Sequence, residues 1–146
     1  MGKNMAGGSS ERMNAQEKYE HWLDAAQYDL ETAGTMVSGG RWLYVVFMCQ
    51  QAIEKLVKGL YGLYLDFDSV PHTHNIARLI NDFSDKLTCQ IGQDMLDFFD
   101  LLTRYYLNNR YPDYVNELNE WTQESNAKAV HRKTKEVFAW LLTLKP

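Results

Sequence analysis

The densest group of residues able to recognise an anion is Arg104, Tyr106, Arg110, Tyr111 and Asp113. Guanidinium forks match phosphate oxygens two bonds at a time, and tyrosine rings stack on bases, so this group fits a nucleotide or RNA pocket. The same residues also fit a structural role, in which Arg110 and Asp113 cap the end of a helix and the tyrosines finish a core.

Four other groups carry chemistry by type. Lys128, Arg132 and Lys135 stand at i, i+4 and i+7, one helix face, with His131 and Lys133 alongside. That is either a local phosphate-binding patch or a solvated face, and the solvated face is the preferred reading. Gln50, Gln51, Glu54, Lys55 and Lys58 pose a similar choice between a ligand or partner contact and an ordinary surface Glu–Lys pair, with the surface pair preferred. His72 and His74 form His-X-His near Asp66 and Asp68, yet no further ligand follows at a metal-binding spacing, so no metal is expected. Cys49 lies on an apolar stripe and reads as a small buried residue rather than a nucleophile. Nothing matches a Walker loop, GxSxG, HExxH or paired-Cys zinc pattern, and no cofactor is expected.

The elements that must position these groups are helical. Residues 1–13 contain Gly-Gly-Ser-Ser without an apolar period and read as a flexible tail ahead of one domain, 14–146. Asn14 and Glu17 have the spacing of a capping box, and Tyr19, Trp22, Leu23, Ala26, Leu30, Ala33 and Val37 follow on a 3.6-residue period until Gly39 and Gly40. A second, central helix runs from Trp42 to Tyr64. Pro71 marks a loop over 66–73, and a short helix buries Ile76, Leu79, Ile80 and Phe83. A fourth helix is predicted from about Ile91 to Asn108 and Asn109, with Met95, Phe98, Phe99, Leu102 and Tyr105 inside. Pro112 is expected to break the chain, the stretch from Asn116 to Asn126 to be partly irregular, and a last helix to run from about Ser125 to Leu144.

Composition agrees with one folded unit. The 146 residues are 45% hydrophobic and 13% aromatic, enough for a core, and 23% charged, which excludes general disorder. Three prolines and nine glycines leave long uninterrupted stretches and argue against a sandwich or barrel. The net charge of −4 means that nucleic-acid binding requires a local basic patch. The longest apolar run, 42–49, is far below the roughly 20 residues of a membrane span. Two cysteines without paired spacing, and no secretory leader, make the cytoplasm the expected compartment. Trp22, Trp42, Phe98, Phe99, Tyr105 and Tyr106 are more large rings than one small core hides, so a homodimer is expected.

The run from Cys49 through Gln50, Gln51, Ala52, Ile53, Glu54, Lys55 and Lys58, preceded by Trp22 and the Ala-X-X-Asp-Leu of Ala26 to Leu30, resembles the HEPN domain. Thr73-His74-Asn75-Ile76 with Leu79 is similar to that family's third helix, and Tyr105-Tyr106 through Arg110-Tyr111-Pro112-Asp113 to its Tyr-Tyr and Arg-Tyr-Pro-Asp segment. The resemblance spans Tyr19 to the C-terminus. It implies an all-α, up-and-down bundle of four to five helices that dimerises and binds nucleotides or RNA. It also implies a minimal nucleotidyltransferase as partner, in a toxin and antitoxin pair. Many family members are metal-independent ribonucleases marked by an Arg followed, four to six residues on, by a His. Here the positions after Arg104 hold Asn109, Arg110 and Tyr111, and those after Arg110 hold Val115, Asn116 and Glu117. Proton exchange at the RNA 2′-hydroxyl needs a group titrating near neutrality, which Arg110 cannot supply. A ribonuclease would need a base from elsewhere, with His131 the candidate in the last helix, and the other alternative to nucleotide or RNA binding is a non-catalytic dimeric interaction module.

Overall fold

The computed structural model describes residues 13–106 and 112–146. Arg110, Tyr111 and all but the last residue of the expected tail lie outside the described residues. Six helices occur among the described residues: α1 Ala15–Ser38, α2 Trp42–Tyr64, α3 Ile76–Phe83, α4 Gln93–Thr103, α5 Pro112–Trp121 and α6 Glu124–Leu142. The predicted all-helical class is what the chain adopts, with one short helix more than expected.

α1 begins where its sequence signals it. The Asn14 side chain accepts from the Glu17 amide at 2.8 Å while Glu17 accepts from the Asn14 amide at 3.1 Å, so the capping box closes in both directions. Its exit is equally local. Gly40 takes φ +67°, and the Gly40 and Arg41 amides reach back to the carbonyls of Val37 and Met36, which reverses the chain in three residues. The reversal lays α2 against α1, and α2 becomes the axis of the molecule, packed on α1, α3, α4, α5 and α6. Fifteen of its 23 residues are buried. Two glycines set how closely neighbours approach it. A Cβ at Gly59 would stand 3.0 Å from the Trp22 Cβ of α1, and one at Gly62 would overlap the Phe67 ring in the turn after α2.

α3 buries all four of its predicted core residues. Its start is tied to α4, because the Ile76 amide donates to the Thr103 hydroxyl at 3.2 Å, and that hydroxyl donates to the Phe99 carbonyl at 2.8 Å. Phe83 stacks on Tyr64 with centroids 5.2 Å apart, and the Tyr64 hydroxyl donates to the Leu144 carbonyl, joining α2 to the C-terminal residues.

Four expectations need correction. α4 ends at Thr103 rather than at Asn108, because the chain tightens into turns at Tyr105 and Tyr106. That tightening buries the Tyr105 ring and brings its hydroxyl 2.9 Å from the Thr122 hydroxyl. Met95, expected inside, is only half-buried. The stretch from Asn116 to Asn126 is irregular only at 122–123, since its first part belongs to α5 and its last to α6. Pro112 opens α5 in its first turn, where a missing amide costs nothing, and Val115 and Leu118 hold it against the core. Finally, the ring surplus lies elsewhere. Phe98, Phe99 and Tyr105 are buried and Trp22, Trp42 and Tyr106 half-buried, whereas Tyr28, Tyr44 and Trp121 are 71%, 51% and 43% exposed.

Replacing Gly62 tests the approach of the turn after α2. Overpacking there costs about 1–3 kcal/mol, against a helix-propensity gain of about 1 kcal/mol for alanine. Gly62→Ala should therefore lower unfolding free energy in urea by up to about 2 kcal/mol, and Phe67→Ala in the same chain should cancel part of that loss. A stabilised Gly62→Ala would show that the Phe67 ring does not occupy this space.

Candidate functional site

The polar face of α2 is where structure and sequence expectation part most sharply. Glu54, expected on a solvated surface, is 5% exposed, Lys58 is 8% exposed and Gln50 is fully buried. They form one connected set. Gln51 donates to Gln50 at 2.7 Å, Gln50 donates to one Glu54 oxygen at 2.5 Å, and Lys58 donates to the other at 3.0 Å. Residues 50, 54 and 58 repeat every four positions, so one helix face supplies two of the three groups bonded to the carboxylate.

The third arrives from outside α2. His74, just before α3, places Nδ1 3.1 Å from both Glu54 oxygens. The carboxylate thus selects the tautomer with the proton on Nδ1 and turns Nε2 away from Glu54. The imidazole is 39% exposed by its side chain, so this is where the buried set reaches solvent. Over it lies Tyr106, with centroids 3.5 Å apart and planes 14° from parallel. Phe47 of α2 sits against the same tyrosine at 6.5 Å, and Tyr44 meets Phe47 edge-on at 6.4 Å. Beside this set Lys55 binds the buried Asp29 of α1 at 2.5 Å, clamping the two long helices.

The predicted ligand residues are not all brought together. Tyr106 joins the Glu54–His74 pair. Arg104 is exposed at the end of α4 and, with Tyr105, Tyr114, Glu117 and Trp121, lines a separate cavity of about 320 Å³. Asp113 is exposed in the first turn of α5. Sequence reasoning paired Glu54 with Lys58, read His74 apart from them, and missed their union. The four-residue spacing signals the α2 half, but nothing local signals that the loop carrying His74 folds back over it.

The remaining candidates find ordinary surroundings. His74 points to Glu54, while Asp66 accepts from the Asp68 amide and the Ser69 hydroxyl, both at 3.2 Å, to shape a 3-10 turn. Burial pushes the Cys49 thiol up to about 12, far from thiolate chemistry at neutral pH. Lys128 is paired with Glu124 at 2.6 Å on an exposed face. His131 is half-buried, and burial, then the nearby Lys135 charge, holds its imidazole below the ordinary value.

Magnitudes separate the two Glu–Lys pairs. Removing one partner of a buried pair costs about 3–5 kcal/mol because the other charge is stranded, whereas an exposed pair contributes about 0–1 kcal/mol. Glu54→Gln should thus destabilise the protein by roughly 3 kcal/mol in chemical denaturation, and Glu124→Gln by less than about 1. Equal small losses would place Glu54 in water.

A family model described as the HEPN domain matches residues 19–144. Comparison with curated proteins found no match. Among solved structures, the crystal structure of a Thermus thermophilus protein is similar at a TM-score of 0.69 and 23% identity, covering 86% of this chain and 97% of that one. The crystal structure of an archaeal HEPN homologue is similar at a TM-score of 0.64 and 28% identity, covering 88% of this chain and 98% of that one. The match of the family model over nearly all of the bundle, with the fold shared by both structures, shows that the chain belongs to the HEPN domain family.

Proposed function

We propose that this HEPN chain binds a nucleotide or RNA, with the phosphates held by Arg110 and Arg104 and a base set against Tyr106 or Tyr111, near Asp113. The observation that carries the reading is the His74–Tyr106 stack anchored on buried Glu54. Burying Glu54, Lys58 and Gln50 costs desolvation that a plain apolar face would not, and the set meets solvent at a pair of rings. Arg110 follows Tyr106 by four residues, which places it within about 14 Å along the chain.

A homodimer, and a separately encoded minimal nucleotidyltransferase as partner in a toxin and antitoxin pair, belong to the same proposal. Exposed Tyr28 and Tyr44 supply the kind of surface such partners cover. The expected compartment is the cytoplasm. Among the described residues, no helix is long and apolar enough to cross a membrane.

One observation favours a second reading, a metal-independent ribonuclease. A carboxylate on Nδ1 of a histidine whose ring reaches solvent is the usual arrangement for orienting a general base. His74, rather than His131, is then the group standing in for the histidine missing after Arg104 and Arg110.

Fluorescence anisotropy with a labelled single-stranded RNA tests the first reading. Affinity should fall steeply with salt. Arg110→Ala should weaken binding by on the order of 1.5–3 kcal/mol, the range for charge-assisted hydrogen bonds, while Lys128→Ala does much less. No cleavage of that RNA at a nuclease rate is expected. Cleavage abolished by both His74→Ala and Arg110→Ala would make the ribonuclease reading the leading one. Equal small effects of Arg110→Ala and Lys128→Ala on binding would remove the ligand site from this end of the bundle.

A further inference from the structure

Of the six helices, α5 alone buries none of its residues. It rests on the core along one narrow line, Val115 and Leu118 continued by Thr122, spaced i, i+3 and i+7. A cavity opens on either side of that line. Tyr114, Glu117 and Trp121 border one of about 320 Å³ with Arg104 at the end of α4, and Asn119 borders another of about 520 Å³ with Arg41 at the start of α2. The line is fastened at its end by polar groups. The buried Thr122 hydroxyl lies 2.9 Å from that of buried Tyr105, and Trp121 leans on the Tyr105 ring with centroids 5.9 Å apart. Residues 122 and 123 then link α5 to α6 outside either helix, with Gln123 extended.

Charge sets α5 apart as well. It carries Asp113, Glu117 and Glu120 and neither Lys nor Arg. Arg41 and Arg104 are both exposed, and among the described residues neither is held in an ion pair. We infer that α5 is a gate: it lifts from the bundle as one unit, hinged at 122–123 and latched by the Tyr105–Thr122 hydroxyl pair, and a phosphate-bearing ligand binds the lifted state. Segments with few buried apolar contacts open separately from the core. Closed, Glu117 repels a phosphate from Arg104 across their shared cavity; lifted, the two cavities join and both arginines stand clear of carboxylate. The coupling to a ligand rests on the function proposed above, whereas the lifting does not.

Hydrogen–deuterium exchange on the full chain tests the lifting, with the wild type, Thr122→Val, Tyr105→Phe and Thr122→Ser, and circular dichroism to report the fold of each. Peptides covering α5 should exchange at least about tenfold faster than those of α2 and α6. Thr122→Val and Tyr105→Phe should each speed α5 by roughly two- to twelvefold, the span of one buried hydrogen bond, with α2 unchanged and Thr122→Ser near wild type. A ligand restricted to the lifted state binds in proportion to that state's population, so anisotropy with a labelled single-stranded RNA should show both latch variants binding more tightly by the same factor. If α5 exchanges no faster than α2, or if Thr122→Val accelerates every helix together, the gate is overturned and the proposed function stands. Faster exchange with unchanged or weaker RNA affinity overturns it too. If neither the wild type nor either latch variant binds RNA, the gate and the proposed function fail together.

Discussion

A carboxylate buried in a helical bundle must be matched on every side, and Glu54 sets that requirement for this molecule. Gln50 and Lys58 satisfy it from the same helix, one turn to either side, and His74 from the loop before α3. The His74 contact has consequences beyond itself. It brings the loop over α2, sets the start of α3 against Thr103 at the end of α4, and gives Tyr106 a ring to lie on. The end of the bundle facing solvent is therefore built outward from one charge. The rest of α2 is apolar enough to hold α1 and α6 without help from that charge.

The two halves of α2 differ in kind. Along one face, Val45, Val46, Ile53, Leu56, Val57 and Leu60 are buried and hold the core. Along the other, exposed Tyr44 leads through Phe47 to the polar set, and the burial of that set is completed by short segments rather than by a long helix. Short segments are what local opening affects first, since few apolar contacts hold them. This places the chemistry-bearing groups next to the parts of the fold best able to admit a ligand.

Much of the fold was legible because its signals are local. Asn14 with Glu17, the Gly39–Gly40 exit and the 3.6-residue stripes fix α1, α2 and α3 within a residue or two. Part of what escaped was decided by contacts far apart in sequence. Tyr105 continues the periodicity of α4, yet the pull of Thr122, seventeen residues on, ends that helix early. α5 carries Tyr114, Val115, Leu118 and Trp121 at helical spacing, and it was missed because Pro112 reads equally as a break or as a helix start. In the site the same division holds. The Glu54–Lys58 spacing is visible in the sequence, but only the fold shows that water is excluded from it and that His74, twenty residues away, completes it. The HEPN resemblance read from Cys49 to Lys58 and from Arg110 to Asp113 identified the family correctly without revealing which residues share a site.

The most direct measurement is nuclear magnetic resonance of the histidine and tyrosine side-chain rings during titration with an octanucleotide RNA. The account predicts that the largest changes fall on the rings of His74 and Tyr106, with Tyr28 on α1 unmoved. Saturable RNA binding that leaves His74 and Tyr106 unmoved while resonances of Lys128 and Arg132 shift would contradict it, and would place the nucleic-acid surface on α6.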